Sequence, residues 1–184
     1  NVRLYIYLGL NILMILALLL AGLPLFDAVN TSFSTIATGG FHIKNASIAA
    51  YDSFLIESIV SIFTIFGSLH FGLLYLSLVN RKAKILSSNV TKFFLRFVLI
   101  SALIISITLF IEGNYDTIWS SLRHGFFQTI TIVSTTGFAT ADTSQWPVLT
   151  IFILLLLMLL GGCSGSTAGG LKADRLAIVI ASVK

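Results

Sequence analysis

The amino-acid sequence predicts an all-α membrane protein made of two consecutive helix–loop–helix repeats. Three observations support this fold class. The chain of 184 residues is 57% hydrophobic and only 10% charged, whereas about a quarter of the residues of a soluble domain are charged. A short pattern near residue 38 recurs 97 positions later, and a glycine-rich run interrupts the last apolar segment. We therefore expect no nucleic-acid partner despite the net charge of +4, and the single cysteine excludes an internal disulfide.

The recurring pattern is Thr-x-Gly-Phe, which is a weak signal when it occurs once. Two copies in the same place relative to flanking apolar segments are a much stronger signal, because self-similarity at a fixed spacing marks an architecture of repeats. We call residues 37–41 and 134–138 the filter stretches. An offset of 97 aligns Thr38 with Thr135, Gly40 with Gly137, and Phe41 with Phe138.

The first repeat contains two predicted membrane spans. Residues 4–25 are apolar and long enough to cross a hydrocarbon core of ~30 Å. Asp27 is predicted to cap a short helix over residues 28–36, which leads into the first filter stretch. After a polar segment, residues 53–79 form the second span.

The second repeat follows a basic connector at residues 80–92. Residues 93–111 form the third span, and residues 119–134 form a short helix that leads into the second filter stretch. Trp146 is predicted to anchor at the membrane interface. Pro147 suits the first turn of a new helix.

Several ionisable side chains within these apolar segments are candidates for function. Glu57 is expected in an outer vestibule or at the interface, and Arg123 and His124 are expected near the outer headgroups. His70 is interpreted either as a hydrogen-bonded interior residue or as a group that faces a cavity.

The final apolar segment is too short to cross the membrane. Residues 148–160 give only ~20 Å of helix, and the helix is expected to resume at Leu171. Exposed backbone groups in such a break are tolerated only against protein or a water-filled cavity. We call the break, residues 161–170, the glycine-rich loop. It consists of Gly161, Gly162, Cys163, Ser164, Gly165, Ser166, Thr167, Ala168, Gly169 and Gly170.

The distribution of charge predicts the orientation. If the connector and both chain ends are cytoplasmic, that side holds nine of the eleven basic residues, as the positive-inside rule requires. Both filter stretches then lie on the outer side. The nine basic residues are Arg3, Arg81, Lys82, Lys84, Lys92, Arg96, Lys172, Arg175 and Lys184.

The order of helix and filter stretch favours cations. Each short helix precedes its filter stretch, so its negative C-terminal end points at that stretch. Glycine allows successive carbonyls to turn toward one axis, where they replace the water shell of an ion. Phe41 and Phe138 are expected to wedge behind the stretches. The predicted filter residues are Thr38, Gly39, Gly40, Phe41, Thr135, Thr136, Gly137 and Phe138, with potassium at Thr38, Gly39, Thr135 and Thr136.

These motifs together resemble the Trk/Ktr/HKT superfamily of potassium transporters, and most closely its bacterial Trk-type pore subunits. The glycine-rich loop followed by Lys172 is the most specific of them. The motifs are residues 33–41, Leu69-His70-Phe71, residues 135–138 with Asp142, Trp146-Pro147, and residues 161–172.

The resemblance implies tandem helix–pore loop–helix repeats of potassium-channel type. Residues 3–79 would be the second repeat of four, residues 80–91 a cytoplasmic connector, and residues 92–184 the third repeat. The glycine-rich loop and Lys172 would then form an intramembrane gate. The chain would be an internal piece of a longer protein that carries the first and fourth repeats.

The resemblance also implies potassium uptake across the cytoplasmic (inner) membrane, with no cofactor and no enzymatic activity. The expected partners are the lipid bilayer, a second copy in a homodimer and a cytoplasmic nucleotide-binding regulatory subunit. A sodium-conducting member of the same superfamily is an alternative, because the first filter repeat lies outside this chain.

Other interpretations account for less of the sequence. Gly-x-Ser-Gly at residues 162–165 matches the motif around the serine of intramembrane proteases, with Ser164 as nucleophile and His70 as base. This alternative leaves both filter stretches unexplained. A bundle in which the glycines serve only close helix packing is a third possibility. A phosphate-binding P-loop is excluded, because no Gly-Lys-Ser/Thr follows the glycines.

Overall fold

The computed structural model describes residues 2–79 and 88–182, which form eight α-helices and no β-strand. Two 3-10 turns, Ser47–Tyr51 and Thr143–Gln145, follow the filter stretches. The helices are α1 Val2–Leu20, α2 Leu25–Ile36, α3 Phe54–Ser68, α4 Phe71–Val79, α5 Asn89–Ile111, α6 Ile118–Val133, α7 Val148–Leu160 and α8 Ala173–Ser182.

The helices of the described residues suit a membrane. Arg3–Leu20 and Asn89–Ile111 are each long and apolar enough to cross, and α3 with α4 would make a third span as a bent pair. Large apolar side chains on α1, α5 and α7 are exposed, as expected for surfaces that contact lipid. The predicted membrane protein of all-α class is therefore confirmed.

The two predicted repeats share the packing and the end point of their short helices. The short helix α2 packs against α1, and α6 packs against α5. The helices α2 and α6 end at Ile36 and Val133, which are 97 residues apart. Gly125 lets α6 approach α5 closely, since an added Cβ there would overlap the Ser106 hydroxyl.

The start of α2 differs from the prediction. The helix begins at Leu25, directly after Pro24, and no side chain caps it. Pro24 has no N–H and a fixed φ, so it suits the position before the first turn. Asp27 lies within that first turn, and its carboxylate accepts a hydrogen bond of 2.7 Å from the Tyr51 hydroxyl. The predicted capping role of Asp27 is therefore wrong.

The sequence predicted one continuous second span over residues 53–79, but the structure divides it into two helices. A bend of 103° separates α3 from α4. At this bend His70 Nδ1 accepts hydrogen bonds from the backbone N–H groups of Gly72, at 3.0 Å, and Leu73, at 3.3 Å. These N–H groups have no partner inside α4, so His70 satisfies the start of the second helix. His70 is thus the hydrogen-bonded interior residue of the two interpretations.

The remaining boundaries agree with the sequence to within about five residues, and α1 ends at Leu20 instead of continuing to the predicted residue 25. The predicted α7 is confirmed at Val148–Leu160, but α5 begins at Asn89 and α8 at Ala173. Trp146 was predicted to anchor at the membrane interface. Its side chain is instead 6% exposed and packs in the protein core. Residues 80–87 of the predicted connector, with Arg81, Lys82 and Lys84, lie outside the described residues.

Candidate ion pathway

The two filter stretches share an unusual backbone. Thr38 and Thr135 have φ of 53° and 59°, and Gly40 and Gly137 have φ of 72° and 82°. A positive φ is uncommon for a residue other than glycine, so matched values at both threonines are a specific feature. Gly39 was also expected to need such a backbone, but its φ is not positive. Its counterpart in the second stretch is a threonine, which shows that this position does not require glycine.

Matched hydrogen bonds hold each stretch to the end of its short helix. In both repeats, three successive backbone N–H groups turn back onto carbonyls of the last helical turns. The pairs are Ala37 to Phe33 and Ser134 to Ile130, Thr38 to Thr35 and Thr135 to Ile132, and Gly39 to Ser34 and Thr136 to Thr131, at 2.8–3.1 Å. Both α2 and α6 therefore end at the filter stretches and present there the partial negative charge of a helix C-terminus.

The two stretches lie side by side. An added Cβ at Gly40 would overlap the carbonyl oxygen of Thr136. Beyond the stretches, the Ala49 N–H donates to the Ala139 carbonyl at 3.0 Å, and the Ala139 N–H donates to Ser47 Oγ at 3.2 Å. The segment that follows the first filter stretch is thereby joined to the residue directly after the second.

The two phenylalanines behave differently. Phe138 is 1% exposed, and the ring of His42 packs against it edge-on with ring centroids 5.9 Å apart. Phe41 is 86% exposed. Phe138 is therefore packed inside the protein, as a wedge would require, whereas Phe41 is not covered by the described residues.

The glycine-rich loop contacts both repeats beside the filter stretches. Thr167 Oγ1 lies 2.7 Å from the carbonyl oxygen of Ile36, the last residue of α2, and 2.9 Å from that of Gly67. The Gly169 N–H donates to Thr135 Oγ1 at 2.7 Å. One of the predicted ion ligands is thus bonded directly to the loop.

The loop also closes the gap left by the bend between α3 and α4. The Cys163 N–H donates to the Ser68 carbonyl at 2.9 Å, and the Phe71 N–H donates to the Gly165 carbonyl at 3.2 Å. The ammonium group of Lys172, just beyond the loop, donates to the Ala168 carbonyl within it. The backbone groups that both breaks expose therefore satisfy each other, as a membrane interior requires.

The geometry does not support the protease alternative. Nδ1 of His70 is already engaged by the backbone N–H groups of Gly72 and Leu73. In the described part of the chain no hydrogen bond joins the Ser164 hydroxyl to His70, so the nucleophile and base that the mechanism needs are not assembled.

Sequence reasoning missed an ion-pair cluster between the repeats. Arg123 on α6 pairs with Glu57 at the start of α3, with Nε–Oε2 at 2.7 Å and Nη2–Oε1 at 2.9 Å. It also contacts Asp52 at 3.0 Å. Glu57 is 4% exposed and both of its carboxylate oxygens are bonded to Arg123, so it is a buried, paired group rather than a free acidic side chain. The only available signal was a carboxylate and a guanidinium near the predicted outer ends of two apolar helices.

The chain is similar to known cation transport proteins. The TrkH family of cation transport proteins matches residues 2–184. The Trk system potassium uptake protein TrkH of Halomonas elongata is 38% identical over 96% of this chain and 36% of its own length. The TrkH protein of Salmonella typhimurium is 36% identical over 95% of this chain and 36% of its own length.

A solved structure is also similar. The crystal structure of the potassium transporter TrkH from Vibrio parahaemolyticus matches with a TM-score of 0.92 at 32% identity, covering 96% of this chain and 38% of that chain. The chain thus spans little more than a third of the length of these relatives. The resemblance inferred from the filter stretches and the glycine-rich loop is confirmed. This chain belongs to the TrkH family, whose members are cation transport proteins and not enzymes.

Proposed function

We propose that this chain supplies two adjacent walls, the second and third of four, of a potassium uptake pore in the cytoplasmic membrane. The observation that carries the proposal is the matched left-handed backbone at Thr38 and Gly40 and at Thr135 and Gly137. Both copies lie at helix C-terminal ends, side by side, where partial negative charge favours a cation. The similar proteins of Halomonas elongata and Salmonella typhimurium are named potassium uptake proteins.

Potassium is the transported substrate in this proposal, and no cofactor takes part. Carbonyl oxygens of Thr38, Gly39, Thr135 and Thr136 replace the water shell of the ion. The dipoles of α2 and α6 stabilise its charge. The opposite side of the pathway would be completed by the first and fourth repeats of the same protein.

The glycine-rich loop serves as the gate. Its support is a position bonded to the end of α2, to the bend before α4 and to the filter residue Thr135. Small side chains let the loop move with little steric resistance, and Lys172 holds it closed through the Ala168 carbonyl. Its displacement would open the route inward from the filter.

The partners follow from the family alone. The Trk systems named for the relatives imply a membrane subunit that works with others. We infer a homodimer in the lipid bilayer and a cytoplasmic nucleotide-binding regulatory subunit. No described residue identifies either surface.

The test replaces Gly40 and Gly137 separately by serine in the full-length protein. A side chain at a left-handed position costs about 1–2 kcal/mol, and the distorted carbonyls should weaken potassium uptake and reduce potassium-over-sodium discrimination. Both are measured as ion flux per inserted molecule in proteoliposomes. Unchanged discrimination in both variants would remove the filter assignment. Sodium preference in the unaltered protein would instead favour the sodium-conducting alternative.

A further inference from the structure

Residues 42–57, which follow the first filter stretch, contact the second repeat at two places. At one place Ser47 and Ala49 bond both backbone groups of Ala139, directly beyond the second filter stretch. At the other, Asp52 and Glu57 bind Arg123 on α6. The segment therefore spans the second pore helix and holds it from both ends.

The contact with Arg123 is bidentate and largely withdrawn from solvent. Nε and Nη2 of the guanidinium each donate to one carboxylate oxygen of Glu57. The Glu57 side chain is 5% exposed and that of Arg123 is 21% exposed, whereas the Asp52 side chain is 90% exposed. Paired parallel bonds of this kind fix orientation as well as distance. Glu57 is thus the principal anchor, and Asp52 is an accessory.

The position of this pair matters because α6 connects Arg123 to the second filter stretch, so a displacement of Arg123 is transmitted to that stretch. Arg123 lies ten residues before Val133, the last residue of α6, which is about 15 Å along a helix. A helix of this length moves as a rigid body, so a shift at Arg123 moves Thr135 relative to Thr38 in the neighbouring repeat. The two stretches are already in close contact, with no space for a Cβ between Gly40 and the Thr136 carbonyl.

We propose that Glu57 and Arg123 are positioning residues for ion selectivity, which together set the spacing between the two filter walls. They touch no ion. Their effect acts through α6, and the inference depends on the proposed filter function. It predicts that selectivity depends on the geometry of the pair as well as on its charge.

The experiment measures potassium-over-sodium discrimination and membrane abundance of the full-length protein. Arg123→Gln leaves the buried Glu57 carboxylate unpaired, and Glu57→Gln leaves Arg123 with only the exposed Asp52, so both should lower abundance, the first more strongly. In the molecules that do insert, discrimination should fall about threefold or more, the usual size of coupling between contacting groups. The swap Glu57→Arg with Arg123→Glu should recover part of both.

Conservative variants keep the test decisive if the neutral ones fail to insert. Arg123→Lys and Glu57→Asp retain charge but lose the bidentate geometry, so abundance should hold while discrimination falls. Glu112→Gln and Arg175→Gln are matched controls at exposed positions, and Asp52→Asn should have a small effect. The inference is overturned if the conservative variants discriminate like the unaltered protein. Gly137→Ser separates the two claims, since a normal result there would reject the filter itself.

Discussion

The two filter stretches have the same backbone but different support. In the second repeat, Thr131 Oγ1 donates to the Phe138 carbonyl at 2.9 Å, and the Ser134 and Thr136 hydroxyls are 2.8 Å apart. In the first repeat, the residue equivalent to Thr131 is Ser34. Its Oγ is buried without a hydrogen-bond partner among the described residues.

The comparison distinguishes the backbone features that both filter stretches share from the side-chain contacts that stabilise only one of them. The backbone angles and the helix-end hydrogen bonds are common to both repeats, so they belong to the shared architecture. The Thr131 bond to the Phe138 carbonyl and the buried Phe138 have no counterpart in the described part of the first repeat, where the Thr38 hydroxyl donates to the Ala37 carbonyl at 2.7 Å. Within this chain the second wall therefore has more bonds to its own helix, and the first wall contacts its neighbour at Gly40.

The largest difference should come from the two phenylalanines. Phe138→Ala empties a fully buried site and should destabilise the protein by about 3–5 kcal/mol. Phe41→Ala changes an exposed side chain and should stay within about 0.5 kcal/mol. Thermal unfolding of the full-length protein in detergent measures both. Equal losses would mean that Phe41 is buried in the complete pore, which would weaken the contrast drawn here.

The two glycines offer a second contrast. Gly40→Ala adds strain of about 1–2 kcal/mol at a positive φ, together with an overlap with the Thr136 carbonyl that costs about 1–3 kcal/mol. Gly137→Ala adds only the first cost, because no atom of the described residues, apart from its chain neighbours, lies within 4 Å of the new Cβ. Potassium uptake should therefore suffer more from Gly40→Ala.

Gly9→Ala is the matched control for this pair, since it lies in α1 with open space around it. It should leave uptake and stability unchanged or slightly improved. A greater loss from Gly137→Ala than from Gly40→Ala would reverse the order of the two walls.

The proposed gate offers a third test, at the contact between the glycine-rich loop and the ends of α2 and α3. Thr167→Val removes the hydroxyl that bonds the loop to Ile36 and Gly67. Loss of a shared hydrogen bond of about 1 kcal/mol moves a closed-to-open equilibrium about fivefold. Potassium flux should rise while discrimination is kept, because Thr167 is not a filter residue. Thr167→Ser, which retains the hydroxyl, should behave like the unaltered protein, and flux that stays flat in the valine variant would place the gate elsewhere.

The smallest effect should separate Thr131 from Ser34. Thr131→Val leaves the Phe138 carbonyl without this hydroxyl partner and should cost about 1 kcal/mol. Ser34→Ala removes a hydroxyl with no partner in the described structure and should be nearly neutral. Unfolding midpoints of the two variants give the comparison. A loss from Ser34→Ala as large as that from Thr131→Val would show that its hydroxyl is bonded in the complete protein.

Much of the fold could be predicted from local sequence. The offset of 97 correctly paired positions whose φ angles agree within 10°, and the apolar run predicted α7 at its observed bounds. Periodicity and composition carry this information, because span length and helix ends depend on nearby residues. The same offset aligns residues 64–73 with the glycine-rich loop, so the break in the second repeat also indicates a bend near His70 in the first.

The contacts between the repeats could not be predicted in this way. Glu57 and Arg123 are 66 residues apart, and charge alone does not say which of several acids and bases will meet. The bond between Gly169 and Thr135 likewise depends on where the loop folds back under the filter. Such contacts are set by the packing of helices from different repeats, which leaves no local pattern.

The central claim is that the two stretches form adjacent walls of one cation filter, and ion density tests it most directly. Crystals of the full-length protein soaked in thallium, a heavy substitute for potassium, would locate the ion by its anomalous scattering. We predict peaks beside the carbonyl oxygens of Thr38, Gly39, Thr135 and Thr136, lost on exchange into a salt of a large organic cation. Thallium bound elsewhere along the pathway, with none at these carbonyls, would contradict the account.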